Sequence, residues 1–140
     1  MVQSTGLKKI KCAVLISGTG SNLKSLIQFS KKKNSPITID LIISDNKKAK
    51  GLKFGKIYKI TNKIFDYKNK IITEKKIISE IKNNKIKLIC LAGFMKILSR
   101  NFIKSFRGKI LNIHPSLLPK YKGLNTHQRA ILNGDKYSGC

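Results

Sequence analysis

Asn112 and His114 are the residues of this sequence whose types and spacing most directly suggest chemistry. They lie two positions apart in an apolar run bounded by Gly108 and Pro115, so in a β-strand both side chains would leave the same face of the sheet. An amide donor beside an imidazole can stabilise the oxyanion of a tetrahedral intermediate and carry its proton. One Asn and one His at a strand end are also common in ordinary turns, so the spacing alone leaves both interpretations open.

The apolar run around Ile110 and Leu111 predicts a short buried strand. We expect Pro115 to end it, because proline cannot donate to a sheet ladder. Open α/β sheets bind ligands at the carboxyl ends of their strands. The predicted strand therefore places the Asn and His side chains where a ligand would bind.

A glycine-rich turn at 17–22 follows a predicted strand at 11–16, whose continuous apolar run at 12–16 is typical of a buried strand. Apolar residues at helical spacing begin at Leu23, so the turn leads into a helix N-terminus, whose N–H groups favour a phosphate. Gly18 and Gly20 would leave room for the backbone to approach the anion. The turn is not a dinucleotide fingerprint, because Leu23 stands where the third glycine belongs. A plain tight turn is the competing interpretation.

Strand and helix signals alternate along the rest of the chain. This alternation predicts a doubly wound, mostly parallel α/β sheet with helices on both faces. The further predicted elements are a strand at 37–44, a short helix through Leu52 and Phe54, a brief strand at 57–60, a helix at 68–83 with Ile71, Ile77, Ile78 and Ile81 on or beside its buried face, a strand at 86–92, a short helix capped by Ser99 and reaching Phe106, and a helix at 126–132 closed by Asn133 and Gly134.

The chain has 140 residues and a net charge of +24. That length predicts one domain, 10–140, preceded by a loose leader at 1–9. Such a charge suggests a polyanionic partner. However, the lysines are spread along the whole chain and aromatic residues are not interleaved with them, so we expect solvated lysine faces and keep nucleic-acid binding as the alternative.

The cysteines and the hydropathy pattern indicate a cytoplasmic protein. Cys12 and Cys90 lie in apolar runs, and Cys140 is far from both, which predicts buried thiols in a reducing compartment. The sequence shows neither a membrane-spanning run nor the cleavage pattern of a signal peptide.

The segment Asn-Ile-His-Pro-Ser-Leu-Leu-Pro at 112–119 closely resembles the active-site signature of folate-dependent formyltransferases. Its flanks at 17–23 and 91–98 are similar to those members that formylate glycinamide ribonucleotide in purine synthesis. The resemblance implies a Rossmann-like formyltransferase fold, with 10-formyltetrahydrofolate as the co-substrate. No metal is expected, since the clusters of ligands that a metal needs are absent from the sequence.

The resemblance also implies a role for each matching residue. Asn112 would donate to the formyl oxygen, and His114 would carry the proton between the attacking amine and the departing folate nitrogen. The implied contacts of the substrate phosphate are Gly20, Ser21 and Asn22. The implied folate contacts are Lys68, Met95, Lys96, Ile97, Leu98 and Asn112. Family members often carry a histidine near the substrate at the position of His127, where a surface or capping role is the favoured alternative.

Related enzymes continue past the position of Cys140 and there supply an aspartate that hydrogen-bonds the catalytic histidine. None of the six carboxylates of this sequence occupies that place. We therefore expect a domain that is incomplete at its C-terminus and impaired activity of these 140 residues alone, because losing one member of a catalytic unit costs several powers of ten in rate.

Three other functions stay open. Two are enzymes that share the Asn-x-His core, a methionyl-tRNA formyltransferase and a formyltetrahydrofolate deformylase, and the turn at 17–23 argues against both. The third is a basic nucleic-acid-binding remnant without catalysis. The oligomeric state is also open.

Overall fold

The computed structural model describes residues 8–140, which form a five-stranded sheet of order β3-β2-β1-β4-β5 with every neighbouring pair parallel. The strands are β1 (Ile10–Ile16), β2 (Ile37–Ser44), β3 (Thr61–Ile64), β4 (Leu88–Leu91) and β5 (Lys109–Asn112). The helices are α1 (Ser21–Ser30), α2 (Lys53–Tyr58, preceded by a 3₁₀ turn at Lys50–Leu52), α3 (Lys70–Asn83), α4 (Arg100–Ser105) and α5 (Thr126–Leu132). The predicted doubly wound α/β sheet is confirmed. Of the predicted leader at 1–9, residues 1–7 lie outside the described residues.

The central strand β1 is buried on both faces because helices cover both sides of the sheet. Val14 and Ile16 pack in one core layer with Leu23 of α1. Leu15 faces the opposite layer, where it packs with Ile77 of α3. This alternation follows from the two-residue period of a strand. It explains why the sequence of β1 is continuously apolar.

A buried carboxylate joins α3 to α4. Glu74, which is only 5% exposed, accepts hydrogen bonds from the backbone N–H of Ser99 at 2.9 Å and from the Ser99 hydroxyl. The Ser99 oxygen in turn accepts from the N–H of Phe102 at 3.0 Å, which confirms the predicted helix cap. The start of α4 is therefore fixed to the middle of α3.

The predicted strand at 57–60 is wrong. The helix α2 continues to Tyr58 and ends at Lys59, whose positive φ of 56° turns the chain. The strand follows at Thr61–Ile64, where Thr61 pairs with Leu41 of β2.

The helix predicted at 68–83 begins two residues later, because the side chain of Asn69 caps it by accepting from the N–H of Ile72. Ile77, Ile78 and Ile81 are buried as expected. Ile71 is not, since it is 69% exposed and lines an open groove between α3 and α4.

The expectation of a buried strand at β5 is also wrong. In the described part of the sheet β5 is an edge strand that pairs with β4, and Leu111 is 55% exposed. The strand ends at Asn112, before Pro115 is reached. His114 therefore lies beyond the strand rather than on its face.

Two of the three cysteines are buried free thiols, as predicted. The Sγ atoms of Cys12 and Cys90 lie 3.6 Å apart between β1 and β4, whereas Cys140 is exposed. The hydrogen bond to Cys90 and burial in the core raise the pKa of the Cys12 thiol, which keeps it protonated and unreactive. Between residues 8 and 140, no helix is both long enough and apolar enough to cross a bilayer.

The turn between β1 and α1 is held closely against the 3₁₀ turn. Gly20 has a φ of 76°, and a Cβ built on it would lie 2.6 Å from the Cα of Gly51. The Gly51 N–H donates to the carbonyl of Gly18 at 3.0 Å. Packing against Gly51 therefore requires a glycine at position 20, and the room it would leave for an anion stays a prediction. A Cβ at Gly18 would meet nothing within 4 Å, so that position is open.

Replacing Gly20 should destabilise the protein more than replacing another glycine of positive φ. We expect Gly20→Ala to lower the free energy of unfolding by about 2–4 kcal/mol, from left-handed strain plus the clash with Gly51. Gly134, with a φ of 68° and open space around it, is the control, and Gly134→Ala should lose only the strain of about 1–2 kcal/mol. Urea denaturation measures both. Equal losses would contradict the close packing of the turn.

Candidate functional site

The carboxyl ends of β1, β4 and β5 bring three sequence motifs to one edge of the sheet. Leu15 of β1 pairs with Leu91 of β4, and Leu91 pairs with Asn112 of β5. Neighbouring strands lie about 4.8 Å apart, so the outer two of these residues are separated by roughly 10 Å. The segments 17–23, 93–98 and 112–114 consequently leave the sheet side by side.

Ser17 joins the first two of these segments. Its backbone N–H donates to the carbonyl of Gly93 at 3.1 Å, and its hydroxyl accepts from the N–H of Met95 at 2.8 Å. The side chain of Asn46 donates to the Ser17 carbonyl at 3.2 Å. Sequence reasoning missed this role of Ser17, because a serine in a glycine-rich turn carries no signal for a partner 78 positions away.

The N-terminus of α1 presents free donors at this edge. The first helical hydrogen bond runs from the N–H of Lys24 to the carbonyl of Gly20, so the N–H groups of Ser21 and Asn22 have no acceptor within the helix. No side chain of the described residues caps this end, and its first turn contains no acidic residue. Such an end attracts an anion.

The segment 93–98 carries exposed apolar side chains. Met95 is 70% and Ile97 64% exposed, whereas Leu98 is half-buried against the core. The Phe94 ring packs edge-on against Tyr67 with 5.8 Å between the ring centroids. These side chains form an apolar surface beside the strand ends, and the Phe94–Tyr67 ring pair packs next to it.

Lys96 in the same segment is held by a buried carboxylate. Its Nζ lies 3.8 Å from Oδ2 of Asp45, whose side chain is only 7% exposed. Oδ1 of Asp45 and the hydroxyl of Tyr67 are both buried and have no hydrogen-bond partner among the described residues. Burial, together with the charges of Glu74 and Asp45, raises the pKa of Tyr67, so its hydroxyl stays protonated. No pattern in the sequence indicated this cluster.

Lys68 lies close to the same region. It follows Tyr67, whose ring contacts Phe94, so the chain places it near the segment 93–98. Its Nζ is 3.6 Å from Asp66, but both side chains are largely exposed and the pair contributes little to stability. Lys68 is therefore free to pair with a ligand instead.

The His114 ring is oriented by the loop that follows it. Its Nε2 lies 2.9 Å from the carbonyl oxygen of Tyr121. Because a carbonyl can only accept, Nε2 carries the hydrogen, and Nδ1 is the ring nitrogen left to exchange protons. Asn112 is exposed at the end of β5. The structure thus brings the amide and the imidazole to the same strand terminus, although not on one regular strand face.

The loop carrying Tyr121 is fixed by Asp135. The Tyr121 hydroxyl donates to Asp135 at 2.8 Å, and Nζ of Lys120 donates to both carboxylate oxygens at 3.2 Å. The hydrogen bond from Tyr121, and then that from Lys120, lowers the pKa of Asp135. Within residues 8–140, Asp135 thus acts on His114 only through Tyr121, and no carboxylate bonds the imidazole directly.

Comparison with known proteins supplies the family. Residues 10–140 match the family described as Formyl transferase. The chain belongs to this family.

The curated relatives of this formyl transferase family member include a phosphoribosylglycinamide formyltransferase and a purine biosynthetic protein. The chain is 45% identical over 132 residues to the phosphoribosylglycinamide formyltransferase of Haemophilus influenzae, covering 92% of the chain and 62% of that protein. It is 43% identical over 136 residues to the trifunctional purine biosynthetic protein adenosine-3 of Homo sapiens, covering 95% of the chain and 14% of that protein. The chain therefore spans about three fifths of the former and a small part of the latter.

Solved structures confirm the Rossmann-like fold of the family. The phosphoribosylglycinamide formyltransferase of Brucella melitensis superposes with a TM-score of 0.85 at 39% identity, covering 94% of this chain and 70% of that one. The glycinamide ribonucleotide transformylase 1 of Symbiobacterium toebii superposes with a TM-score of 0.88 at 30% identity, covering 98% and 69%.

His127 is the remaining predicted site residue of this family member. It is exposed in the first turn of α5, and no hydrogen bond among the described residues joins it to His114. Its predicted surface role and its alternative role near the substrate both stay predictions.

Removing Asp135 should loosen the loop that orients His114. We expect Asp135→Ala to speed amide hydrogen exchange in residues 116–123 several-fold, because Tyr121 and Lys120 lose their acceptor. In the wild-type protein the contact is fully present at neutral pH. It is lost only as the pH falls below the ordinary carboxyl value of about 3.9, through the lowered folded pKa.

The matched control is Asp66→Ala, which removes an exposed carboxylate paired with Lys68. It should leave exchange in 116–123 unchanged. The same acceleration in both variants would show that Asp135 does not anchor the loop.

Proposed function

We propose that this chain provides the site for formyl transfer from 10-formyltetrahydrofolate to the amino group of glycinamide ribonucleotide. The observation that supports this proposal most strongly is the row Leu15–Leu91–Asn112, which sets an uncapped helix N-terminus and an amide–imidazole pair on the same sheet edge. A phosphate at the helix N-terminus and a reacting amine at the amide–imidazole pair would be the two ends of one phosphorylated substrate. The names and identities of the curated relatives support the same substrate.

The substrate phosphate would bind at the start of α1. The N–H groups of Ser21 and Asn22 have no helical acceptor and would donate to phosphate oxygens, with Gly20 forming the turn beside them. The +24 charge of the chain would draw such a substrate towards the protein.

The transfer itself needs one oxyanion donor and one proton carrier. As the amine nitrogen attacks the formyl carbon, the formyl oxygen gains negative charge, and the Asn112 amide would donate to it. Nδ1 of His114 would take the proton that the amine loses and give it to folate N10 as the carbon–N10 bond breaks. The Tyr121 carbonyl would hold the ring in place through Nε2.

The folate would lie along the segment 93–98. Met95, Ile97 and Leu98 would contact the flat face of the pterin, which accounts for exposed apolar side chains beside the strand ends. Lys96, fixed by Asp45, and Lys68, whose own ion pair is exposed, would meet the polar and anionic parts of the co-substrate.

Full activity would need a carboxylate partner for His114 from outside the described residues. A neighbouring carboxylate raises the fraction of protonated imidazole, and Asp135 reaches the ring only through Tyr121. The Haemophilus influenzae enzyme, of which the chain spans 62%, contains additional sequence that could supply it.

The free buried thiols support a reducing compartment such as the cytoplasm.

A kinetic assay with both acceptors tests the proposal. The chain, and a chimera that joins it to the remaining segment of the Haemophilus influenzae enzyme, receive 10-formyltetrahydrofolate with glycinamide ribonucleotide or initiator methionyl-tRNA. We expect formylation of the ribonucleotide, with the chimera faster by several powers of ten because it completes the catalytic unit.

Variants of the chimera assign the roles of the two central residues. His114→Ala should lower kcat about 10²–10⁴-fold through loss of the proton carrier, and Asn112→Ala about 10²–10³-fold through loss of the oxyanion donor. His127→Ala, which removes the other histidine of the chain, should leave kcat unchanged.

Formylation of the tRNA alone, or release of formate without any acceptor, would refute the proposed substrate. Unchanged kcat in His114→Ala would refute the proposed chemistry.

A further inference from the structure

A second concave site lies at the opposite edge of the sheet, where the strands begin. It has a volume of about 360 Å³ and a floor that includes Ile81 and Phe106. Around this floor stand four cationic side chains, Lys82, Lys85, Lys87 and Arg107. Lys87 directly precedes β4, and Arg107 comes two residues before β5, so the site is a strand length away from Asn112 and His114.

Among residues 8–140, no carboxylate lines this site or forms an ion pair with its four cations. The sequence from 81 to 134, which includes α4 and both loops of the site, contains no Asp or Glu. Glu80 of α3 is already engaged by Lys63 at 3.4 Å and by the side-chain amide of Asn84 at 3.0 Å. By contrast, the groove between α3 and α4 includes Glu74, and the concavity beside the loop 115–123 includes Asp135.

The dipoles of the neighbouring helices balance only part of the positive charge of these four side chains. Both α3 and α4 end at the site, and a helix C-terminus favours cations because it carries about half a negative charge. Two such ends therefore balance about one cation of the four. Their carbonyls are also partly satisfied, since Ile81 O accepts from the N–H of Ile86 at 3.0 Å and Phe102 O from that of Phe106 at 3.1 Å. A positive surplus remains, and its mutual repulsion would be relieved by a bound polyanion.

We propose that this site binds a nucleoside di- or triphosphate, a polyphosphate ester attached to a flat, largely apolar body. The Arg107 guanidinium can bind phosphate oxygens in a bidentate manner, and the three lysines add point charges. The aliphatic stems of the lysines, together with the exposed edge of the apolar floor, would contact the base. The volume falls at the lower end of the range for small-molecule pockets.

A nucleic-acid strand fits the site less well than a single nucleotide. Strand binding relies on exposed aromatic rings on which successive bases stack. Phe106, the aromatic residue of the site, is only 9% exposed, so it offers the edge of a floor rather than a stacking platform. This second site does not depend on the proposed formyl transfer, because the two lie at opposite ends of the strands.

Isothermal titration of the chain at low ionic strength tests the site, with ATP, inorganic tripolyphosphate and a short single-stranded RNA as probes. The test variant is Lys87→Gln with Arg107→Gln. The control is Lys76→Gln with Lys104→Gln, which removes the same charge from exposed positions of α3 and α4 outside the site. Circular dichroism verifies that both fold.

We expect the test variant to weaken ATP binding about tenfold or more, and the control to leave it within about twofold. Tripolyphosphate should bind more weakly than ATP, because it lacks the body that the floor contacts. Equal weakening in both variants would overturn the proposal in favour of diffuse attraction. Unchanged ATP affinity in the test variant would place the nucleotide elsewhere, such as at the turn around Gly20. Equal affinities for ATP and tripolyphosphate, or RNA binding that excludes ATP, would overturn the proposed ligand.

Discussion

Parallel hydrogen bonding of β4 to β1 on one side and to β5 on the other fixes the register in which separate parts of the chain meet. Because Leu15, Leu91 and Asn112 lie in one row across the sheet, whatever follows each strand emerges at the same edge. The burial of β1 between two core layers holds that register. A slip of one residue would turn the side chains of a strand to the opposite face, so the core itself protects the alignment of the site.

Individual hydrogen bonds and ion pairs then hold in place the segments that the strand register brings together. The Ser17 hydroxyl holds the N–H of Met95, and buried Asp45 holds Lys96, so the segment 93–98 is fixed although its side chains are exposed. Asp135 accepts a hydrogen bond from the Tyr121 hydroxyl, and the Tyr121 carbonyl in turn bonds the imidazole of His114. The contacts of Ser17 and Asp45 join residues at least 50 positions apart in sequence. The site is therefore a product of the whole domain and not of any single motif.

The carboxyl ends of the strands and the amino ends of β4 and β5 differ in electrostatic character. At the carboxyl ends, Asp45 and Asp66 pair with lysines, so the cations there are partly balanced. At the amino ends of β4 and β5, cations gather around a concave site without a carboxylate. The net charge of +24 is therefore balanced differently on these two surfaces, so an anion would interact differently with each of them.

Local signals in the sequence predicted most elements, because each depends on neighbouring residues. The strand at 37–44, the helix at 126–132 and the cap at Ser99 all appear as expected. What could not be predicted depends on tertiary contacts. The crowding of Gly20 by Gly51 and the bond between Glu74 and Ser99 join residues at least 25 positions apart. The exposure of β5 follows from its place at the sheet edge, which its apolar sequence does not reveal.

The central claim is that the turn at 17–22, for which we propose phosphate binding, and the Asn–His pair belong to one site. Titration of the ¹⁵N-labelled chain with glycinamide ribonucleotide, followed by amide chemical shifts, tests this claim most directly. The account predicts that Ser21, Asn22, Asn112 and His114 shift together with a single dissociation constant. Shifts confined to one of the two segments, or shifts at both with different dissociation constants, would contradict it.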